Sequence, residues 1–315
     1  MKYFDAASSV SQSPTKPFGR KARSAMTLPG SCMTRDGRHR SSCTDSCSVP
    51  PRGFRLGPVS CRATHPTTVV SVELLEASLA AHRAYLLGWN TGPSESPGLP
   101  IYRSEVPHAP LNGVLRVGGR APREALAEAR HRLDGVPRIW WAGPDSDAGT
   151  ADALLSLGAV RLARMPIMTL AIDKAASAPT PPWLQITETT DMFEFVPVYA
   201  RVSGISPDGV AVAIERERAF SGDGTVIRLA GRLDDGQIVG TAVAWLSHDL
   251  LTLYFVGTQP EHRRRGIGTA MTRAALDLAR ERGIRTAALT STAAGESVYQ
   301  GIGFRTVGTF DLMSF

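Results

Sequence analysis

Residues 251–271 read Leu-Thr-Leu-Tyr-Phe-Val-Gly-Thr-Gln-Pro-Glu-His-Arg-Arg-Arg-Gly-Ile-Gly-Thr-Ala-Met. An apolar strand runs into a basic, glycine-containing turn, and the turn opens directly into a helix. Ile267, Met271, Ala274, Ala275 and Leu278 recur at spacings that put them on one face of that helix, and Gly283 supplies its stop. The first amides of a helix have no internal partner and sit at its positive end. Gly266 and Gly268 carry no side chain, so an anion can come close to those amides, and Arg263, Arg264 and Arg265 add charge beside them. On physical grounds this is a pyrophosphate cradle. The competing reading is a solvated basic turn that uses glycine only for tight geometry. A dinucleotide fingerprint fails because Met271 stands where a third glycine belongs, and a Walker loop fails for want of a Gly-Lys-Ser/Thr end.

Outward from this segment the chain alternates strands and helices. After it come a strand at 285–291, a helix at 295–301 and a strand at 304–314; before it, strands at 184–189, 225–232, 237–246 and 250–258 and helices at 191–202 and 208–220. The run of three strands in the middle makes the sheet mixed. Earlier still, the periodicity predicts helices over 72–89, 122–133 and 150–157 and strands over 113–117, 138–142 and 160–172. The fold class is therefore α/β with a mixed sheet. Ile139-Trp140-Trp141-Ala142 … Leu157-Gly158-Ala159-Val160 has the same rhythm as Ala287-Ala288-Leu289-Thr290 … Ile302-Gly303-Phe304-Arg305, which reads as an internal duplication or as two ordinary α/β units.

Length and composition bound the rest. The chain has 315 residues, 43% hydrophobic and 20% charged, enough for two domains with cores. No apolar run is long enough to span a bilayer. The net charge of +6 is uneven: residues 1–68 hold eleven Lys/Arg against three acids, which leaves −2 for the remainder. That balance argues against nucleic acid as a partner of the folded part. Residues 1–68 are rich in Ser, Pro and Arg and are expected to be a disordered or dispensable basic extension. They also hold all four cysteines, Cys32, Cys43, Cys47 and Cys61, whose spacing fits a metal site poorly; no metal is expected. The Ala/Pro-rich segment at 174–182 is expected to be a linker between residues 69–173 and residues 183–315.

The stretch Pro260 … Arg263-x-x-Gly266-x-Gly268 resembles motif A of the GCN5-related N-acetyltransferase (GNAT) superfamily. Ala294-Gly-Glu-Ser-Val-Tyr299-Gln-Gly-Ile-Gly-Phe304 is similar to its late motif, in which a tyrosine shortly precedes Gly-Phe. The layout looks like a tandem type with a degenerate GNAT-like first half at 69–173 and a catalytic GNAT domain at 183–315. The first-half turn Val117-Gly-Gly-Arg-Ala-Pro122 lacks the motif and should not hold a cofactor in the same way.

The resemblance implies acetyl-CoA as co-substrate and direct attack of an acceptor amine on its thioester. It assigns Val256, Gly257 and Thr258 to the pantetheine arm, Arg263, Arg264, Arg265, Gly266, Ile267, Gly268 and Thr269 to the pyrophosphate, and Thr292 to the position where relatives often carry an asparagine. Tyr299 becomes the candidate general acid, since a phenol with a pKa near ~10 stays protonated and can hand a proton to a departing thiolate; the other reading is a packed aromatic. No general base is assigned: Thr252 stands where relatives often have a glutamate, and Glu215, Glu217, His248, Asp249 and Glu296 all remain open, each also readable as a solvated charge. The acceptor is expected to be a small-molecule or protein amine, with Trp89, Trp140 and Trp141 either lining a pocket between domains or lying in the core. No nucleic acid or membrane partner, a cytoplasmic location and a monomer or homodimer complete the expectation. The alternative function is a non-catalytic acyl-CoA-binding regulatory module.

Overall fold

The computed structural model describes residues 66–92 and 96–315; the expectations for residues 1–65, their cysteines included, lie outside the described residues. In chain order the helices are α1 (Pro66–Leu87), α2 (Pro122–Arg132), α3 (Thr150–Ser156), α4 (Met192–Ser203), α5 (Val210–Arg218), α6 (Ile267–Glu281) and α7 (Glu296–Ile302). The strands are β1 (Ile101–Arg103), β2 (Asn112–Val114), β3 (Ile139–Ala142), β4 (Val160–Ala171), β5 (Gln185–Glu188), β6 (Thr225–Arg232), β7 (Ile238–Ser247), β8 (Leu250–Thr258), β9 (Thr286–Thr290) and β10 (Arg305–Ser314).

The apolar stripe read from the sequence becomes α6, which buries Ile267, Met271, Ala275 and Leu278 against the sheet. Two strand glycines set how close it lies. A Cβ at Gly240 would sit 2.6 Å from Ile267 Cγ2, and one at Gly231 would sit 2.7 Å from the Met271 sulfur. Helix α4 is started by Asp191, whose carboxylate accepts from the amides of Phe193 (2.9 Å) and Glu194 (3.3 Å). It stops at Gly204, which takes the left-handed conformation at φ 84°.

All ten strands form one sheet in the order β1-β2-β3-β10-β4-β9-β8-β7-β6-β5. The pairs β2–β3 and β8–β9 are parallel and the others antiparallel, so the sheet is mixed. The order is symmetric about the β10–β4 pair: β3 then β2 lie on one side, β9 then β8 on the other. The last strand of each half is inserted into the other half. Strand β4 pairs with β9 over Ile167–Ala171, and β10 pairs with β3 through Asp311, Leu312 and Met313.

The core follows the two faces. One apolar cluster, rich in aromatics, lies under α1, α4 and α5; a second lies under α6; a third, around Trp140 and Leu154, belongs to α2 and α3. Trp89, Trp140 and Trp141 are all buried in these clusters. Three local readings are corrected. The first helix begins at Pro66 rather than at 72, and it ends before Gly88, where a Cβ would collide with the Phe220 ring at 2.5 Å. The strand expected over 113–117 stops at Val114, because Leu115 bonds back to the Pro100 carbonyl (3.0 Å) and Val117 to the 146–147 loop. The helix expected over 208–220 opens with a 3-10 turn at Pro207–Gly209 and ends at Arg218.

Candidate active site

The site is organised by a fault in β8. Val243 faces Tyr254 across the β7–β8 pair, but Thr241 faces Gly257, so β8 carries one extra residue between them. Phe255 absorbs it with φ 46°, a left-handed conformation costly for a phenylalanine. The Thr241 hydroxyl donates to the Phe255 carbonyl at 2.9 Å and pins the bulge. Beyond it β8 parts from β9: their parallel pairing covers only Leu250–Leu253 with Thr286–Leu289. Gln259 donates its amide to Val239 on the β7 side (2.9 Å). Strand alternation then turns the amide of Gly257 toward β7 and those of Val256 and Thr258 toward the open side. Gly257 is required for a different reason, since a Cβ there would meet Val202 of α4 at 2.7 Å.

The basic turn leaves β8 at the same end of the sheet. A 3-10 turn at Pro260–His262 is followed by Arg264 at φ 63° and Gly266 at φ 82°, and α6 begins at Ile267. The first intrahelical bond runs from the Ala270 amide to Gly266 (3.0 Å), so the amides of Ile267, Gly268 and Thr269 face out of the helix start with no acceptor inside it. A Cβ at Gly268 would meet only the Thr258 hydroxyl, 3.8 Å away, and one at Gly266 would meet nothing. The space above these amides is therefore open, and it is the room a pyrophosphate needs. Gln259 braces the turn from below: it donates to the Ile238 carbonyl (2.7 Å) and accepts from Arg201 (2.9 Å), which in turn pairs with Glu261 (2.5 Å). Arg263 reaches back to the Thr258 carbonyl (3.4 Å), and Arg265 packs its guanidinium on the Trp183 ring at 4.2 Å. Arg263, Arg264, Arg265 and Gly266 are all exposed.

Tyr299 lies on α7 with its ring half-buried, edge-on to Phe304 at 5.8 Å. Burial pushes its phenol up to about 12, so it carries its proton throughout the neutral range. Thr292 fixes the entry to α7: its carbonyl accepts from the amides of Gly295 (3.0 Å) and Glu296 (3.1 Å), and its hydroxyl oxygen lies 3.3 Å from the Gly295 amide.

The residues left open as bases separate cleanly. Glu215, His248 and Asp249 are exposed, the last two at the left-handed tip of the β7–β8 hairpin. Glu296 lines an open groove of about 490 Å³ with Arg164, Pro166, Thr306, Thr309 and Asp311. Thr252 is buried with its hydroxyl unpartnered. Glu217 is buried and paired with Arg228 at 2.6 Å.

In the first half the corresponding place is closed by the chain itself. The Gly119 amide donates to the Asp147 carboxylate (2.7 Å), the Val117 amide to the Ser146 hydroxyl (3.2 Å), and the Asp147 amide to the Val117 carbonyl (2.9 Å). Helix α2 also begins with Pro122, which has no amide hydrogen to offer. Nothing in the composition of 143–147 signals this plug; it becomes visible only once β2 and β3 are seen side by side.

Among the described residues no group of three or more His, Cys, Asp or Glu is arranged to hold a metal ion, and no helix is long and apolar enough to cross a membrane. Residues 201–304 match the model of the acetyltransferase (GNAT) family. In three dimensions the chain is similar to a GCN5-related N-acetyltransferase from Kribbella flavida, at 17% identity and TM-score 0.55 over 80% of this chain and 96% of that one. It is also similar to a tandem GNAT protein from the clavulanic acid biosynthesis pathway (18% identity, TM-score 0.51, 79% and 95% of the two chains). A conserved protein of unknown function from Staphylococcus epidermidis matches at 12% identity and TM-score 0.52, over 71% and 93% of the two chains. No curated protein sequence is significantly similar to this one. The chain thus carries, over residues 201–304, a domain of the acetyltransferase (GNAT) family, built into the GCN5-related N-acetyltransferase fold.

Proposed function

We propose that the protein transfers an acetyl group from acetyl-CoA to an amine acceptor by direct attack. The observation that carries this reading is the coincidence, at one end of the sheet, of the β8–β9 gap with the open helix start of α6. The pyrophosphate rests on the amides of Ile267, Gly268 and Thr269, with Arg263 and Arg264 beside it, while Arg265 contributes charge from its seat on Trp183. The pantetheine arm pairs as a strand with Val256 and Thr258 in the gap, and Gly257 keeps α4 close beneath them. The Val256 amide then faces the thioester carbonyl and stabilises the charge that builds on its oxygen as the amine attacks. Tyr299 gives its proton to the departing sulfur. In this reading residues 69–173 are a GNAT-like half that has lost its cradle, 174–182 is the linker, and 183–315 carries the chemistry.

Thiol release tests the reading: the full chain is incubated with acetyl-CoA and a panel of primary amines, and free CoA is followed with a thiol reagent. Amine-dependent release that saturates in acetyl-CoA is the expected result; no release above hydrolysis with any amine contradicts it. A second reading, a non-catalytic acyl-CoA-binding regulatory module, is favoured by Thr252, which puts a buried unpartnered hydroxyl on β8 where an acid would serve as base. That reading requires binding without consumption.

A further inference from the structure

The sheet face opposite α6 is closed by aromatic rings drawn from both halves of the chain. Tyr85 and Trp89, on and just beyond α1, meet Phe220, Trp245 and the two aromatic residues of the β8 bulge. Tyr85 lies flat on Tyr254 with 3.6 Å between ring centroids, and Tyr199 of α4 lies on Phe255 at 4.3 Å. Phe220 stands 5.3 Å from Tyr85, 6.3 Å from Trp89 and 5.5 Å from Trp245.

Into this aromatic chamber α5 inserts one carboxylate. The Glu217 side chain is 1% exposed; its Oε2 accepts from Arg228 Nη2 (2.6 Å) and Nε (2.8 Å). Its Oε1 has no partner. The Tyr199 hydroxyl, close enough to feel the Glu217 charge but outside hydrogen-bond geometry, is unpartnered too, as are the indole N–H groups of Trp89 and Trp245. Four buried polar atoms in one chamber without partners, each costing about 1–3 kcal/mol, mark an interior made to meet a polar guest. The chemistry of that guest follows from the walls. A carboxylate oxygen and a ring of π faces both attract a cation, and apolar ring surface suits an aromatic or aliphatic body. The chamber also adjoins the reacting end, because its wall residue Phe255 is the bulge residue preceding Val256.

We propose that the acceptor is a primary ammonium ion on an apolar body, held by Glu217 Oε1 in the chamber that α1 closes over the β8 bulge, so that the first half supplies one wall of the acceptor site. This rests on the acetyl-transfer reading above. Glu217 then also takes the proton that the ammonium must lose before attack, while Arg228 stays on Oε2. The neutral amine forms its N–C bond as the C–S bond breaks. The sulfur takes the Tyr299 proton, the phenolate recovers one from the amide nitrogen, and the proton on Glu217 leaves to solvent. Burial raises the Glu217 carboxyl above the ordinary carboxylate range, with the Arg228 guanidinium pulling the other way, and this suits a temporary proton holder.

The test compares the full chain with Glu217→Gln on two acceptors, phenethylamine, charged at pH 7, and aniline, already neutral there. The expected result is a roughly 10–100-fold loss of kcat/KM for phenethylamine, with aniline changed by less than about threefold and acetyl-CoA affinity unchanged. Equal losses on both amines would overturn the proposal. Tryptophan fluorescence titrated with phenethylammonium chloride judges the chamber without any turnover. Saturable quenching that is roughly tenfold or more weaker in Glu217→Gln supports it; no saturable quenching of the unmodified chain overturns it. If acetyl-CoA binds but no amine releases thiol, the acetyl-transfer reading falls, and the titration still decides whether the chamber takes an ammonium ion. Should Glu217→Gln not fold, the neutral pair Glu217→Gln/Arg228→Gln repeats both measurements without leaving a buried charge alone.

Discussion

Tyr299 and Gly268 show how much single residues can be asked to do. With its phenol raised to about 12, Tyr299 is protonated whenever the enzyme is folded, so proton donation from it should cause no loss of kcat between pH 7 and 10. Removing the hydroxyl is different: Tyr299→Phe is expected to lower kcat by roughly 10²–10⁴-fold with little change in acetyl-CoA affinity, measured by steady-state kinetics and titration. An unchanged kcat would take Tyr299 out of the mechanism. At this scale the sequence was legible where chemistry needs a residue type. Gly266, Gly268, the arginines and Tyr299 announce themselves by kind and spacing. It was not legible where conformation decides. Nothing about a phenylalanine predicts φ 46° at Phe255, and Glu215 and Glu217 look alike in sequence although only the second is buried.

Elements were read well because most carry their own punctuation. The α6 stripe, its glycine stop and the turn residues between β6, β7 and β8 fix ends within a residue or two. Strand β1 was missed, and β2 overextended, because three-residue strands are too short for alternation to register. Packing of α6 supports a stability prediction: Met271→Ala, which empties the space over Gly231 and Gly240, should cost about 2–5 kcal/mol, read from urea midpoints. Helix α1 supports a pH prediction. His82 is buried against Trp141 and Phe310, and burial holds its imidazole down near pKa 3; burial likewise lowers His108 to about 4. Both folded values lie below the unfolded value near 6.5, so the unfolded chain binds more protons as pH falls. Stability is therefore full above about pH 6.5 and declines toward pH 4, by up to about 1.4 kcal/mol per pH unit for each histidine. Urea midpoints at pH 5 and 7.5 check this, and His82→Phe should flatten part of the slope.

The whole molecule is held together by an exchange that periodicity could not reveal, since alternation reports burial and not which strand lies alongside. Each half gives its last strand to the other, β4 standing between β9 and β10. Residues 183–315 expressed alone would lack β4 and leave β9 and β10 unpaired in the middle of the sheet. That fragment is expected to be insoluble or unfolded by circular dichroism; a folded fragment would show the exchange to be dispensable. The exchange also bears on the chemistry, because it fixes α1 of the first half over the bulge of the second, while Asp147 fills the first half's own cleft. One cradle in the molecule is then open. The most direct test is calorimetric titration of the full chain with acetyl-CoA beside Gly268→Glu. Gly268 has room for a Cβ and an ordinary backbone, so the variant should fold, while its carboxylate would project toward the phosphates beside Thr258. The account predicts saturable one-site binding by the unmodified chain and a loss of at least about 100-fold in the folded variant. Equal binding by both, or no binding by either, would contradict it.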